Sequence, residues 1–409
     1  MRWLYNLGIF GYYLLVKIVS IRNEKARKWI AGRKDIFKRL RETIIPGEPI
    51  LWFHASSLGE FEQGMPVIEA IRILSPEFKI LLTFFSPSGY ELRKNYPYAD
   101  YVFYLPLDTK KNAIQFIDIV RPKKVFFIKY EFWYNFLTQL KEEGIPTYIF
   151  SALFRPSQIF FKPWGKWYLK AIASYEHIFV QNQESFNILQ QHAFTNVDIC
   201  GDTRLDAVGE IADAAPRLEK LELFCGNEKA IIGGSTWKED EDLFIRYINE
   251  SDSPRKFVIA PHEVTKQSIE RITSSLTRPY ALYSTATAEE LSKSDVLVID
   301  GYGYLLSVYK YGLFAYVGGG FTTGIHSIIE PAAFGLPVIF GPDYHKFQEA
   351  HDLLKLGAAN SISDYDELAF IMNEYQTNDE MLASASATAL NYVNKNRGAS
   401  KEIVKYLFG

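Results

Sequence analysis

The stretch 51–69, LWFHASSLGEFEQGMPVIE, predicts the architecture of the chain. The apolar run at 50–53 is typical of a buried strand, HASSLG has loop character, and FEQGMPVIEAIRIL has the spacing of a helix. A strand that ends in a small-residue loop and opens a helix forms a polar crevice at the carboxyl edge of a parallel sheet. Glu60 lies at that helix start, as a reacting carboxylate or as an acid that complements the helix dipole.

Strand and helix patterns alternate on the C-terminal side of this stretch. Helical segments separate the apolar strands, so a parallel, doubly wound sheet is predicted. The predicted strands are KILLTFF (79–85), YVFYLP (101–106), KVFFIK (124–129), TYIFSA (147–152) and HIFVQN (177–182). A second set of strands begins at KAIIGG (229–234) and includes FVIAP (257–261). At 409 residues the chain suits two domains better than one.

Composition limits the classes of function. The chain is 48% apolar and 23% charged, as in a globular protein, and its net charge of −3 does not favour nucleic acid as a partner. Cys200 and Cys225 are too few for a disulfide framework, which favours two reduced thiols in a cytoplasmic compartment. The seven histidines form no HExxH-type pair, so we expect no metal site and no cofactor.

The N-terminus has the pattern of a membrane-surface segment. The apolar run 3–21 is long enough to cross a bilayer, but on a helix Arg2, Asn6, Tyr13, Lys17 and Ser20 fall within a sector of roughly 60°. We therefore expect this helix to lie in one leaflet, or to dock its polar side on protein, rather than to span. Residues 22–41 carry nine Lys or Arg against two acids, which attract anionic headgroups. The alternative is a helix packed on its own domain, followed by a solvated charged helix.

Two motifs of the N-terminal half resemble a known family. HASSLGE (54–60), followed by KYEFWYN (129–135), resembles the signature pair of the Kdo transferases, which load 3-deoxy-D-manno-oct-2-ulosonic acid (Kdo) onto lipid A precursors. The resemblance implies that Glu60 is the catalytic base and that Glu131 stabilises the transition state. Glu131 has the alternative role of capping the helix that begins near Trp133. GDTRLDAV (201–208) resembles the family's G-N-x-K-x-D segment, which gives Arg204 a charge-stabilising role. This chain departs from the family at Lys129, an acid there, at Tyr134, a proline there, and at Arg204.

The acceptor side of the site is also implied by the resemblance. FFSPSGYE (84–91) resembles the T-x-T-G segment that lines the acceptor cleft. The implied acceptor residues are Ser56, Ser57, Gly59, Ser86, Ser88 and Gly89. The aromatic and basic stretch 154–170 is either an ordinary packed connection or a mobile flap that meets phosphates or acyl chains of a glycolipid.

The C-terminal half carries motifs for a nucleotide-activated sugar. Residues 313–342 contain H-S-x-x-E-P-A-x-x-G-x-P-V, which is specific for GT-B glycosyltransferases. We expect Gly233–Thr236 to form a phosphate-receiving loop, a helix that starts near Ser327 to aim its positive end at a phosphate, and Glu330 to accept ribose hydroxyls. His326 and Glu330 have the alternatives of a cap and a lysine partner, and His262 that of a structural histidine. The implied donor residues are Ser235, Thr236, Pro261, His262, Gly303, Tyr304, Leu305, Gly319, Gly320, Ser327, Ile328, Ile329 and Glu330.

These observations predict an α/β GT-B glycosyltransferase with two doubly wound Rossmann-like domains facing a cleft and an N-terminal membrane-anchoring helix. The predicted parts are an attachment segment 1–42, an acceptor domain 43–205, a nucleotide-sugar domain 206–390 that opens with a linker helix 206–222, and a helix 391–409 that crosses back. The expected reaction is inverting, metal-independent transfer of Kdo from CMP-Kdo to a lipid A precursor at the cytoplasmic face of the inner membrane. The alternatives are another GT-B sugar-nucleotide enzyme, such as a UDP-sugar transferase or epimerase, and an inactive membrane-surface binding module.

Overall fold

The chain forms two α/β units, seen in a computed structural model that describes residues 2–322 and 324–409. The first unit contains Met1–Ala207 and Arg397–Gly409, and the second contains Val208–Asn396. Nothing is described of the Arg2 side chain, so that member of the predicted polar stripe lies outside the described residues.

The first unit is built on a parallel sheet of seven described strands in the order β3-β2-β1-β4-β5-β6-β7. Its strands are β1 Ile50–Ala55, β2 Lys79–Phe84, β3 Tyr101–Tyr104, β4 Lys124–Ile128, β5 Thr147–Ala152, β6 His177–Val180 and β7 Val197–Ile199. The helices of its first 207 residues are α1 Arg2–Val19, α2 Glu24–Arg33, α3 Ile36–Thr43, α4 Leu58–Leu74, α5 Pro87–Arg93, α6 Lys110–Val120, α7 Tyr134–Glu142, α8 Leu169–Ile172, α9 Gln183–Gln191 and the start of α10 Thr203–Asp213. Short 3-10 turns lie at Ile159–Phe161 and Lys166–Tyr168.

Strand β1 is the centre of this unit. All six of its residues are buried, and it pairs with β2 on one side and β4 on the other. Alternate side chains enter different core clusters, Trp52 on one face and Phe53 on the opposite face, because neighbouring strand residues point to opposite sides of a sheet. A strand covered on both faces needs a continuous apolar run, which is the pattern that predicted it.

Helix α1 packs on the first unit through its polar side. The Tyr5 hydroxyl donates to Asp108 at 2.5 Å, and Asn135 Nδ2 donates to Asn6 Oδ1 at 3.0 Å. Its apolar side is exposed, with Trp3, Leu15 and Ile18 each more than 60% accessible. Among the described residues, no helix combines the length and apolar character needed to cross a bilayer.

The second unit is built on another parallel sheet of seven described strands, in the order β10-β11-β9-β8-β12-β13-β14. Its strands are β8 Ala230–Thr236, β9 Phe257–Pro261, β10 Tyr280–Leu282, β11 Val296–Val298, β12 Gly312–Val317, β13 Val338–Phe340 and β14 Ala359–Ser361. After α10, its helices are α11 Glu219–Cys225, α12 Lys238–Glu250, α13 Lys266–Ser275, α14 Ala288–Lys293, α15 Leu305–Val308, α16 Ile329–Ala333, α17 Gln348–Leu356, α18 Tyr365–Thr377 and α19 Asp379–Asn396, with a 3-10 turn at Tyr309–Tyr311.

Two predicted elements of the second unit are wrong. The linker helix predicted at 206–222 is two helices, α10 and α11, separated by a segment that contains Pro216, and a proline cannot continue a helix without losing a backbone hydrogen bond. The loop predicted at Gly233–Thr236 is the end of strand β8, and its glycines are packing sites. A Cβ on Gly234 would lie 2.1 Å from the buried Tyr309 hydroxyl.

The last helix, α20 Ala399–Phe408, belongs to the first unit, where it packs against α4. Asp206 accepts hydrogen bonds from the backbone amides of Gly398 and Ser400 at its start. Lys124 Nζ donates to the Leu407 carbonyl near its end at 2.6 Å.

Candidate active site

The two carboxylates singled out by the sequence lie at the switch point of the first sheet. Glu60 follows β1 and Glu131 follows β4, and these strands are neighbours at the place where the strand order reverses direction along the chain. Ligands of open parallel sheets bind outside the carboxyl ends of the strands at such a point. The topology therefore brings both acids to one polar edge.

Glu131 is fully buried in a cradle of donors. Its Oε1 accepts from the Ser56 backbone amide at 2.7 Å, and its Oε2 accepts from the Ser56 hydroxyl at 2.9 Å and from the Trp133 indole N–H. These three hydrogen bonds fix the position of the carboxyl group. Helix α7 begins at Tyr134, and its first amides are capped by Asp108, which accepts from the Asn135 and Phe136 amides. The capping alternative for Glu131 is therefore wrong.

His54 joins the same cluster from β1. Its Nδ1 lies 3.0 Å from the Thr83 carbonyl and 2.9 Å from the Thr83 hydroxyl, and its Nε2 lies 3.3 Å from Glu131 Oε2. The last contact is close enough for charge attraction but is not aligned as a hydrogen bond. Both ring nitrogens thus face oxygen atoms, and the ring packs directly against the Glu131 carboxyl group.

Glu60 lies in the first turn of α4 and is partly buried. Ser57 donates its hydroxyl to Glu60 Oε2 at 2.5 Å instead of capping the helix. Burial raises the pKa of Glu60, and the negative charge of Glu131 raises it further, while the Ser57 hydrogen bond and the Lys129 charge oppose the rise. A carboxylate with a raised pKa has more proton affinity than an ordinary surface acid, as a general base requires.

Lys129 holds a strained backbone position directly after β4. Its φ is +72°, in the left-handed region that favours glycine, and its amide donates to the Phe150 carbonyl at 3.0 Å. Its charge acts on Glu60, as the lowering contribution to the Glu60 pKa indicates. The residue that replaces an acid of the family motif therefore supplies a cation beside the proposed base.

Arg204 lies at the start of α10 and is bound to its neighbour Asp202. Its Nε and Nη2 donate to Asp202 Oδ2 at 2.8 and 2.6 Å, and Gln63 of α4 donates to Asp202 Oδ1 at 3.0 Å. Burial by itself raises the pKa of Asp202, but the Arg204 charge and hydrogen bonds outweigh it and lower the pKa overall. Because Gln63 is one helical turn from Glu60, this network ties Arg204 to the helix that carries the base.

The predicted acceptor residues are serines that make hydrogen bonds near the acids and glycines that differ in the space around them. Ser56 holds Glu131, Ser57 holds Glu60, and Ser86 caps α5, where its hydroxyl accepts from the Ser88 amide. Gly59 has open space around its Cα, whereas a Cβ on Gly89 would lie 2.2 Å from the Phe84 ring, so Gly89 serves packing. These residues lie at the carboxyl ends of the neighbouring strands β1 and β2.

The second unit has a corresponding switch point between β8 and β12. Asp240 is fully buried there and accepts from the Gly319 amide at 2.8 Å, the Trp237 amide at 2.9 Å and the Tyr316 hydroxyl at 2.7 Å. Gly319 has a φ of +96°, and a Cβ on Gly318 would lie 2.5 Å from the Ser235 carbonyl. Asp240 therefore fixes a glycine loop whose backbone other residues cannot adopt.

Three flat rings are stacked beside this loop. The centroids of Trp237 and His262 are 4.6 Å apart, and those of His262 and His326 are 4.3 Å apart. The Trp237 indole N–H donates to His326 Nε2 at 2.9 Å, so that nitrogen carries no proton. Burial and the charge of His262 lower the pKa of His326 to about 4. His326 is thus held neutral at the edge of the sheet.

The remaining predicted donor residues are placed around the same strands. The helix predicted near Ser327 is wrong in position, since α16 runs from Ile329 to Ala333, and five residues give little helix dipole. Ile328 and Ile329 are buried. Glu330 lies near the buried Tyr309, whose pKa is raised by burial and then by the Glu330 charge. The others are Ser235 and Thr236 at the end of β8, Pro261 at the end of β9, Gly303, Tyr304 and Leu305 before and within α15, and Gly320 against Gly341.

Comparison with solved structures identifies the fold of the chain as the GT-B fold. The fold is similar to that of a UDP-GlcNAc 2-epimerase from Neisseria meningitidis, with a TM-score of 0.63, 16% identity, and coverage of 88% of this chain and 99% of that one. It is also similar to that of MurG from Acinetobacter baumannii, with a TM-score of 0.57, 12% identity, and coverage of 88% and 98%. The GT-B fold predicted from the sequence is confirmed.

Sequence comparison finds similarity to Kdo transferases. The model of the 3-deoxy-D-manno-octulosonic-acid transferase (Kdo transferase) family matches residues 31–207. A 3-deoxy-D-manno-octulosonic acid transferase of Aquifex aeolicus is 26% identical over 83% of this chain and 90% of its own length, and one of Rickettsia bellii is 24% identical over 100% and 99%. The resemblance to Kdo transferases seen in the sequence motifs thus extends over most of the chain.

Several residues that form the site were not among the site residues predicted from the sequence. His54 and Trp133 stand within motifs already quoted, but only the fold shows that both touch Glu131. Asp240 follows Trp237 at capping-box spacing, a signal that predicts a helix start but not a loop-holding role. Asp202 and Gln63 are 139 residues apart, and only packing brings them together.

Proposed function

We propose that this protein transfers Kdo from CMP-Kdo to a hydroxyl of a lipid A precursor in lipopolysaccharide core biosynthesis, with inversion at the ketosidic carbon. The acceptor oxygen forms a bond to that carbon as the bond from carbon to the CMP phosphate oxygen breaks. The acceptor proton passes to Glu60, and CMP leaves with the bonding electron pair. The observation that carries this proposal is Glu60, poised with a raised pKa beside the buried Glu131.

Glu131 and Arg204 stabilise charge in this reaction without being consumed. Three donors hold the Glu131 carboxyl group in place beside the site where the sugar carbon becomes electron-poor. Arg204 and Lys129 supply positive charge, which a departing phosphate requires. On this proposal the charge is carried by side chains, and we expect transfer to continue in EDTA.

Donor binding is assigned to the second unit. Backbone amides around Gly318–Gly320 approach the phosphate, His262 and His326 line it, and Glu330 accepts the ribose hydroxyls. The family's P-R-H has no arginine here, because residues 261–263 read Pro-His-Glu. The stacked histidines and the glycine loop therefore take a larger share of donor recognition.

The acceptor reaches the first unit from a membrane surface. Helix α1 exposes an apolar side, and the segment after it carries nine cations against two acids, a combination that suits the anionic cytoplasmic face of the inner membrane. On this proposal Trp164, 64% exposed in the stretch 154–170, adds a second apolar contact beside α1, since Tyr168 of the same stretch packs on Tyr5.

The decisive experiment compares wild type with Glu60→Gln. Each is incubated with CMP-Kdo and a tetraacylated lipid A precursor, and the lipid product is weighed by mass spectrometry. Loss of a general base lowers the rate by about 10²–10⁴-fold, while CMP binding by calorimetry stays unchanged. A fully active Glu60→Gln enzyme would remove Glu60 from the base role. UMP and UDP serve as controls, and preferential stabilisation by either would favour a different sugar nucleotide.

A further inference from the structure

A cavity of about 600 Å³ lies apart from the acids of the active site, between the N-terminal helices and the residues that follow β3. Strand β2 separates β3 from β1 in the sheet, so the cavity lies two strands away from Glu60 along the same edge. Its lining combines the cations Arg33, Lys34 and Lys38 with an apolar wall formed by Tyr13, Trp29 and Phe37. Asp35 is the single acid of the lining.

The charge of Arg33 is not neutralised by protein. Its Nε, Nη1 and Nη2 each donate to a backbone carbonyl, those of Leu105, Trp29 and Phe85, and among the described residues no carboxylate pairs with it. A guanidinium has five N–H donors, so two remain for a ligand. Burial lowers the pKa of Arg33 to about 9, the direction expected for a cation that lacks an anion.

Trp29 supplies a second, independent sign of a missing ligand. Its ring is 4% exposed and stacks under the Arg33 guanidinium at 3.9 Å, yet its indole N–H has no hydrogen-bond partner in the described structure. A buried donor without a partner costs about 1–3 kcal/mol, so native proteins rarely keep one without a function. Trp29 and Arg33 both line the cavity, which makes an oxyanion bound there a common partner for their donors.

We propose that this cavity binds the phosphate headgroup of a membrane lipid. A phosphate takes the Trp29 N–H and the Arg33 guanidinium, Lys34 and Lys38 stand at the exposed rim, and the apolar wall receives the start of the acyl chains. Tyr13 of the apolar wall belongs to α1, whose neighbouring residues Leu14 and Leu15 are exposed, so the cavity adjoins an apolar surface. Free phosphate would leave that wall unused.

The test uses the full chain in neutral detergent and calorimetric titration with dihexanoyl phosphatidylglycerol, dihexanoylglycerol and inorganic phosphate. Trp29→Phe keeps a ring and removes the N–H, and Lys38→Glu reverses an exposed charge. We expect each to bind the phosphatidylglycerol about fivefold more weakly, the worth of one hydrogen bond. The control variant Lys355→Glu reverses the charge of an exposed lysine in the second unit and should bind as wild type.

The proposal is overturned if Trp29→Phe and Lys38→Glu bind as wild type, or if the lipid without phosphate or inorganic phosphate binds as tightly as the phosphatidylglycerol. Lys38→Glu lies on the surface and folds even where Trp29→Phe does not, so binding remains measurable. Transfer assays show whether the bound phosphate belongs to the acceptor lipid or to a bilayer phospholipid. A raised acceptor KM at unchanged kcat in Lys38→Glu assigns the acceptor's own phosphate, and an unchanged KM assigns a bilayer phospholipid. Binding does not require transfer, so failure here and failure of the proposed reaction are distinguishable.

Discussion

Replacing Glu131 by glutamine tests how much the three hydrogen bonds to its carboxyl group stabilise the fold. The two oxygens of Glu131 accept three donors, one on Oε1 and two on Oε2. Whichever way a glutamine amide is turned, its NH₂ faces at least one of these donors, the Ser56 amide or the Trp133 indole N–H. One buried donor then loses its partner at about 1–3 kcal/mol, and the remaining bonds lose their charge assistance at about 1 kcal/mol each.

The expected destabilisation is therefore about 4 kcal/mol, in the range found when one member of a buried charge pair is removed. For a unit of this size that lowers the melting temperature by roughly 8–16 °C. Calorimetry and urea unfolding measure it, with Glu60→Gln as the matched control, since the same substitution at the partly buried acid removes no such cradle. A Glu131→Gln protein that melts with the wild type would refute the reasoning, because three hydrogen bonds to a buried carboxylate cannot be lost without cost.

Four further outcomes are expected. The pKa of Glu60 is raised by burial and then by Glu131, so the folded protein holds that proton more tightly than the unfolded chain, and ionised Glu60 costs stability above the raised pKa. Glu60→Gln should therefore unfold at a higher urea concentration than wild type at neutral pH, and this gain should fade at mildly acid pH. Glu131→Gln removes the charge that raises the pKa of Glu60, so it should move the acid limb of the kcat/KM profile to lower pH. Asp240→Asn should weaken CMP binding about tenfold by calorimetry, because the glycine loop loses its acceptor, whereas Tyr316→Phe removes one bond and should cost less. His54→Phe should lose about 1–3 kcal/mol in urea unfolding and lower kcat more than it changes KM, and an unchanged kcat would contradict a role for the ring beside Glu131.

The fold was predictable because its strands are continuous apolar runs. Residues 50–53, 124–128 and 147–152 can be covered on both faces only in a parallel sheet, and the structure places them side by side as β1, β4 and β5. The wrong elements are those where local signals compete. Gly233–Ser235 has the composition of a loop, but Phe244 and Tyr309 need the space that a glycine leaves, so the strand continues to Thr236.

Only the site residues that directly follow a strand could be predicted from the sequence. Glu60 and Glu131 both follow buried strands, so a parallel sheet brings them to one edge. The contacts that decide their chemistry join distant residues, such as Ser56 to Glu131, and spacing carries no information about them. The N-terminal pattern likewise indicated a polar stripe, whereas the Asp108 contact that docks Tyr5 depends on the whole unit.

Two of the six described non-glycine residues with a positive φ lie at the two switch points. Lys129 at the end of β4 and Ser235 near the end of β8 have positive φ values of 72° and 51°, although neither is glycine. Each such residue costs roughly 1–2 kcal/mol, and it persists only where surrounding structure fixes it. Strands β4 and β8 are the strands at the two switch points, so the strain lies where ligands of such sheets bind. Relaxing Lys129 to an ordinary strand end would carry its charge away from Glu60, and the pKa of Glu60 would rise further because Lys129 opposes the rise. The strained turn and the reactivity of the acid beside it are therefore one arrangement, maintained at the expense of stability.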